Sequence, residues 1–293
     1  MAKSYIFSGH ETFHCKSFWL KKGYDFVNEG NSFNDENAVI ELGVGKNMVA
    51  SIKFWMKSFG LLTDENELTV FAHNIFNDNN GLDIYLEDKA TIWLLHYMLA
   101  YSDYASIYSL VFSDYHRSKN EFDVQVLEGF IKRKCYESDI AFNQNTVQKD
   151  IRVLIRNYVQ AQSAGSIDET YSTLLLDLGL LLSHKNADAG KETYSFNFQN
   201  TDLPPYQLIV FIILSTFDDN TIDFRDLMYG DHPVGLIMCI TEYAMDHLLQ
   251  EAAAHFNWIV YSEDAGNKQI QIKERPNNYW SILESYYQIQ ANN

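Results

Sequence analysis

Apolar residues recur along this chain mainly at helical spacing, most clearly between residues 37 and 62. The pattern predicts a short helix over residues 37–42 that stops at Gly43. After a turn, a longer helix runs from Lys46 until Gly60 ends it. In the longer helix Val49, Ile52, Met56 and Phe59 fall at core spacing. Lys46, Ala50, Lys53 and Lys57, at i, i+4, i+7 and i+11, form a stripe on another face. Helix, glycine turn, helix is the pattern of a helix-turn-helix, and three ammonium groups on its second helix suit a phosphate backbone. A core helix with a solvated lysine face would produce the same pattern.

The pattern occurs twice. Ile52-Lys53-Phe54-Trp55-Met56-Lys57 is echoed 99 positions later by Ile151-Arg152-Val153-Leu154-Ile155-Arg156. Around the second copy Val147, Ile151, Leu154 and Tyr158 form the apolar face, and Asn145, Lys149, Arg152 and Arg156 repeat the polar stripe. A helix over residues 174–182 and a hairpin over residues 185–198 are predicted next, the hairpin from the alternation Tyr194-Ser195-Phe196-Asn197-Phe198. Helix, helix, β-ribbon reads as a winged helix. The first copy has a matching candidate wing at residues 68–76.

Between the copies, residues 88–101 predict a helix capped by Asp88 with Ile92, Trp93, Leu95 and His96 inside; residues 100–112 predict a second packed helix. Beyond Pro204-Pro205 the sequence predicts helices to about residue 217 and over residues 241–256. A hairpin over residues 258–272 should turn at Ala265-Gly266-Asn267. The expected fold is therefore α+β and mainly helical, with two winged-helix-like modules and a C-terminal helix and β-hairpin domain. The expected boundaries are residues 1–115, 116–203 and 204–293.

Composition narrows the class. Aromatic residues make up 15% of the 293 and prolines number 4, which marks a folded chain rather than a disordered one. No apolar run approaches the ~18–20 residues of a membrane span, and no basic stretch leads into an apolar core at the start, so neither membrane nor export is expected. Three scattered cysteines, Cys15, Cys135 and Cys239, predict reduced thiols and a cytoplasmic location rather than a disulfide framework.

A net charge of −17 opposes DNA binding, but its distribution tempers the objection. Residues 1–60 hold seven cations against six carboxylates, and residues 116–156 hold eight against six. Residues 61–115 hold one against nine, and residues 157–293 six against eighteen. The two predicted DNA-facing helices thus occupy the two non-acidic blocks. The acidic C-terminal third suits a basic protein partner as well as simple solubility.

Three sequence blocks carry a family resemblance. The first is Phe7-Ser8-Gly9-His10-Glu11-Thr12-Phe13 with Phe18-Trp19-Leu20-Lys21-Lys22-Gly23, and the second is Leu42-Gly43-Val44-Gly45-Lys46-Asn47-Met48-Val49. The third is Gly81-Leu82-Asp83 with Tyr85-Leu86-Glu87-Asp88 and Thr91-Ile92-Trp93-Leu94-Leu95-His96. Together they resemble the SspB-like family of bacterial DNA phosphorothioation and phage-defence gene clusters. The likeness is looser over residues 120–293, where Asn145-Thr146-Val147, Asp150-Ile151 and Asp264-Ala265-Gly266 carry it. It implies a component that binds double-stranded DNA, with nicking of one strand to admit sulfur as the associated activity. It also implies work beside a cysteine desulfurase and ATP-using proteins.

Two groups of residues could supply such chemistry. His10-Glu11-Thr12-Phe13-His14 matches the H-E-x-x-H pattern of zinc hydrolases, which needs a helix to bring both imidazoles to one face. Ser8-Gly9 is a poor helix interior and no third ligand is evident, so no zinc is expected. Without zinc, His10 and Glu11 are the candidate catalytic residues for water activation. Being adjacent they point apart, and His10 is expected to be the reacting group because an imidazole exchanges a proton near neutral pH, with the other anchoring the segment. Asp83, Glu87 and Asp88 are the alternative, with Mg²⁺. The DNA-binding candidates are Lys46, Asn47, Lys53, Lys57, Lys149, Arg152 and Arg156. A non-enzymatic adaptor is the second reading, and a metal-dependent hydrolase the third.

Overall fold

The computed structural model describes residues 5–102, 104–160, 173–185 and 192–291. The chain forms two compact units, Met1–Asn197 and Phe198–Asn293. Each is built mainly of helices with one small antiparallel sheet.

In the first unit, α1 (Trp19–Asn28) packs on α3 (Lys46–Ser58), with α2 (Ala38–Leu42) against both. Gly43 ends α2 in the left-handed region at φ 60°, a conformation that glycine adopts without a Cβ clash. The Lys22 ammonium donates to the Leu42 carbonyl, a cation at the negative end of that helix. Val49, Ile52, Met56 and Phe59 are all buried, as their spacing predicts. Helix α5 (Lys89–Tyr101) starts at Asp88, whose carboxylate accepts from the Ala90 amide at 2.7 Å. It is buried on nearly every side, so its sequence shows no single inner face.

The remaining elements of this unit are α6 (Ser106–Ser109), which continues as a π-helical segment Leu110–Tyr115, then β1 (Glu121–Phe122), α7 (Val124–Glu137), α8 (Gln144–Tyr158), β2 (Leu181–Lys185) and β3 (Glu192–Phe196). The sheet runs β1-β3-β2 and is antiparallel throughout, with Phe122 opposite Tyr194 and Leu181 opposite Phe196. His96 on α5 joins α8 through a 2.8 Å bond between its Nδ1 and the Tyr158 hydroxyl. Phe112 packs edge-on against that imidazole.

The second unit resembles the later part of the first, with one additional short helix before its longest helix and a final helix after the hairpin. Helix α9 (Tyr206–Thr216), β4 (Thr221–Asp223), α10 (Phe224–Tyr229), α11 (Val234–Ile237) and α12 (Glu242–His255) lead to β5 (Ile259–Asp264), β6 (Asn267–Ile272) and α13 (Trp280–Ala291). Its sheet runs β4-β6-β5. The hairpin turns on Ala265 and Gly266, both at positive φ (50° and 85°), as a two-residue type I′ turn requires. Both units therefore place helix, strand, helices and a hairpin around a three-stranded sheet whose last strand is central.

Three expected elements differ. Residues 68–76 form helix α4 (Val70–Phe76), not a ribbon, because the Thr69 hydroxyl caps the Ala72 amide and Ala72, Ile75 and Phe76 bury one helical face. Residues 174–182 form a 3-10 turn, Leu176–Leu178, and the start of β2 rather than a helix. Gly179 stops the turn at φ 58°, and sheet pairing overrides the helix propensity of the leucines. The helix expected from residue 100 starts at Ser106 and runs on to Tyr115. The β2–β3 hairpin is present, and residues 186–190 of its expected turn lie outside the described residues. Strands β1 and β4, two and three residues long, are too short to leave an alternation in the sequence.

Candidate nucleic-acid interface

Helix α8 begins at Asn143, whose side chain accepts from the Thr146 amide at 3.0 Å. Val147, Ile151, Leu154 and Tyr158 are buried on one side, while Asn145, Lys149, Arg152 and Arg156 lie toward solvent on the other. Among the described residues, Lys149 and Arg152 enter no ion pair, and the Arg156 guanidinium reaches the Thr12 carbonyl, at 3.5 Å. Three cations thus face solvent along one helix.

Helix α3 presents its cations differently. Lys46 and Asn47 are exposed in its first turn. Lys53 is half-buried, with its ammonium 3.1 Å from the Asn34 side-chain oxygen. Burial and then the nearby Lys57 charge lower its pKa. The Lys57 ammonium donates to the Asp64 carbonyl at 2.9 Å and lies over the Tyr104 ring. Both Lys53 and Lys57 already have local partners, so a phosphate would have to displace them.

Residues 7–13, the start of the first block of the family resemblance, form an irregular segment laid against both helices. Its backbone is unusual, with positive φ at Ser8 (73°), Gly9 (105°), Glu11 (48°) and Thr12 (68°). A Cβ on Gly9 would lie 2.5 Å from the Phe54 ring. Gly9→Ala is therefore expected to cost about 1–3 kcal/mol through strain and overpacking, read as a lower melting temperature.

His10 sits at the centre of this segment and is only 5% exposed. Its Nδ1 accepts from the Thr12 amide at 3.1 Å, which leaves Nε2 to carry the proton and donate to Asp150 Oδ1 at 2.8 Å. The other Asp150 oxygen accepts from the Ser8 amide at 2.9 Å. Both imidazole nitrogens are engaged, so proton exchange with a substrate would require one of these bonds to open. Glu11, in contrast, is exposed at the tip of the turn.

The segment containing His10 and His14 is not helical, so the two imidazoles lack the one-turn helical spacing of a zinc-hydrolase motif. The Asp83 carboxylate accepts from the Glu87 and Asp88 amides and from the Thr91 hydroxyl, and Asp88 caps α5. Mg²⁺ favours carboxylates with lone pairs to spare. Asp83 and Asp88 do not fit such a site, and among the described residues no three His, Cys, Asp or Glu side chains gather to hold a metal. The cysteines are unpaired and buried, and burial pushes the Cys15 thiol well up.

Sequence reasoning missed Asp150 and Asn157. Both are buried on the inner side of α8, where Asn157 accepts from the Cys15 amide and donates to the Tyr108 hydroxyl. The signal was available: a carboxylate and an amide stand at helical spacing among Val147, Ile151 and Leu154, on a face otherwise apolar.

Two solved structures share this fold. A magnesium ion-bound SspB crystal structure superposes with a TM-score of 0.85 at 24% identity, and an SspB crystal structure with a TM-score of 0.81 at 23%. Each alignment covers 98% of this chain and 88% of the other. No curated protein is similar enough to match. The match to the family described as "Protein of unknown function (DUF4007)" spans residues 7–287, nearly the whole chain, and the protein belongs to that family.

Proposed function

We propose that this protein is a DNA-binding component of a bacterial DNA phosphorothioation or phage-defence system, acting on double-stranded DNA beside a cysteine desulfurase and ATP-using proteins. The observation that carries the reading is the row Lys149, Arg152 and Arg156 along the outer side of α8. Among the described residues from Ser106 to Phe196, helix, strand, two helices, a 3-10 turn and a hairpin follow one another, with strand order β1-β3-β2. That order supports a winged-helix reading, in which α8 would be the recognition helix. Lys46 and Asn47, at the start of α3 after the α2 turn, are the second contact in this reading. The SspB fold supports the system context.

The similar order in the second unit, with one more short helix, does not extend the DNA reading. There the corresponding helix, α12, carries Glu242, Asp246 and Glu251 and no Lys or Arg; Asp246 is paired with Lys268, and the two glutamates would repel phosphate. That acidic helix, with Tyr243 83% exposed, supports the adaptor reading, in which the second unit recruits a basic partner protein.

Gel-shift titration of duplex DNA against salt tests the binding. A steep fall of affinity with salt is the expected result, and absence of binding at low salt would leave the adaptor reading. Strand nicking belongs to the proposal as well. Conversion of supercoiled plasmid to open circles is the expected outcome, measured both with Mg²⁺ and with EDTA. His10, expected as the reacting group, is buried with both ring nitrogens bonded, and Glu11 is the exposed candidate, so His10→Ala and Glu11→Gln are the variants to compare.

A further inference from the structure

One residue, His10, touches both helices of the DNA-binding reading. Its ring donates to Asp150 on the inner side of α8. The same ring lies edge-on to Phe54 at 5.6 Å and stacks on Trp55 at 6.4 Å, both on α3. Its carbonyl accepts from the Ser51 hydroxyl of α3 at 3.0 Å, a buried bond. Neighbouring links follow the same route: Trp55 donates to the Phe13 carbonyl, and Asn157 of α8 accepts from the Cys15 amide. The segment is a spacer clamped from both sides.

We propose that the buried His10–Asp150 pair is a positioning device that holds α8 in register with α3, so that the cationic row of α8 and Lys46 at the start of α3 meet one duplex together. The inference rests on the DNA-binding reading for its purpose, but the register itself can be measured without DNA. The bond pattern is directional. Thr12 fixes Nδ1 as the acceptor, the Nε2 proton points at Asp150, and Ser8 takes the remaining carboxylate oxygen. An amide at position 150 would offer two acceptor lone pairs on one atom and hydrogens on the other, so one of the two donors would face a donor. Four positive φ values within residues 8–12 persist only where surrounding contacts over-determine them. Releasing the pair therefore frees the segment, and with it the relative placement of the helices.

The test places spin labels at Ala50→Cys and Asn145→Cys, two exposed positions on α3 and α8, while Cys15, Cys135 and Cys239 are buried. Dipolar distance measurements on the full chain should give a narrow distribution. Asp150→Asn should broaden or shift it, and His10→Gln, which keeps a donor toward Asp150, should retain most of the narrow peak. Measured on unlabelled protein, Asp150→Asn should weaken duplex binding about threefold to thirtyfold with an unchanged salt slope. If Asp150→Asn does not fold, Ser51→Ala removes one link from His10 to α3 and should broaden the distribution by itself. An unchanged distribution in a folded variant overturns the proposal. A broadened distribution with unchanged affinity overturns its role in DNA contact, and failure of the wild type to bind DNA would sink the DNA reading while leaving the register result intact.

Discussion

Replacing Lys149, Arg152 and Arg156 together with alanine is expected to lower duplex affinity about a hundredfold near physiological salt. The slope of log affinity against log salt should fall by about 2.7, roughly 0.9 for each phosphate that is no longer neutralised. All three side chains point outward from one face of α8, so their removal should leave the core and the melting temperature nearly unchanged. The matching triple change at Lys46, Lys53 and Lys57 should flatten the slope by only about 0.9. Lys53 and Lys57 are held by Asn34 and by the Asp64 carbonyl, which leaves Lys46 as the accessible cation of α3. Gel-shift or anisotropy titrations at several salt concentrations would measure both. An unchanged slope for the α8 variant would move the DNA interface off this helix.

Trp55→Ala is expected to have the largest effect on stability, about 3–5 kcal/mol. The indole is fully buried against Phe54, Phe59 and Tyr108, and its Nε1 donates to the Phe13 carbonyl at 3.2 Å. Truncation leaves a cavity under the N-terminal segment and strips that carbonyl of its donor. At about 2–4 °C per kcal/mol for a unit of this size, the melting temperature should fall by roughly 10 °C or more. Thermal unfolding followed by circular dichroism would measure it. A destabilisation below about 1 kcal/mol would mean that residues 7–13 do not dock on α3 in solution.

Much of the secondary structure was legible from local pattern. Helices α3, α8, α9 and α12 follow the spacing of apolar residues, because each buries one face or nearly all of its surface. The β5–β6 hairpin follows from Ala265-Gly266, since positive φ at two successive residues is local chemistry. The mainly helical α+β class followed from these elements together.

What the sequence determined by itself was therefore whatever depends on neighbours three or four residues away: helix faces, the Asp88 cap, the hairpin turn, and the outward cationic row of α8. Only the tertiary structure decided which charges have partners and which strands pair. Residues 68–76 became a helix and residues 181–185 a strand because a cap in one case and a sheet neighbour in the other outweighed weak intrinsic preferences. The lysines of α3 looked equivalent in sequence, yet Asn34 and the loop at Asp64, both outside the helix, hold two of them. His10 read as a residue able to exchange protons, and Asp150, 140 residues away, engages its Nε2. A bond across that separation leaves no periodic trace, so it becomes visible only when the chain has folded.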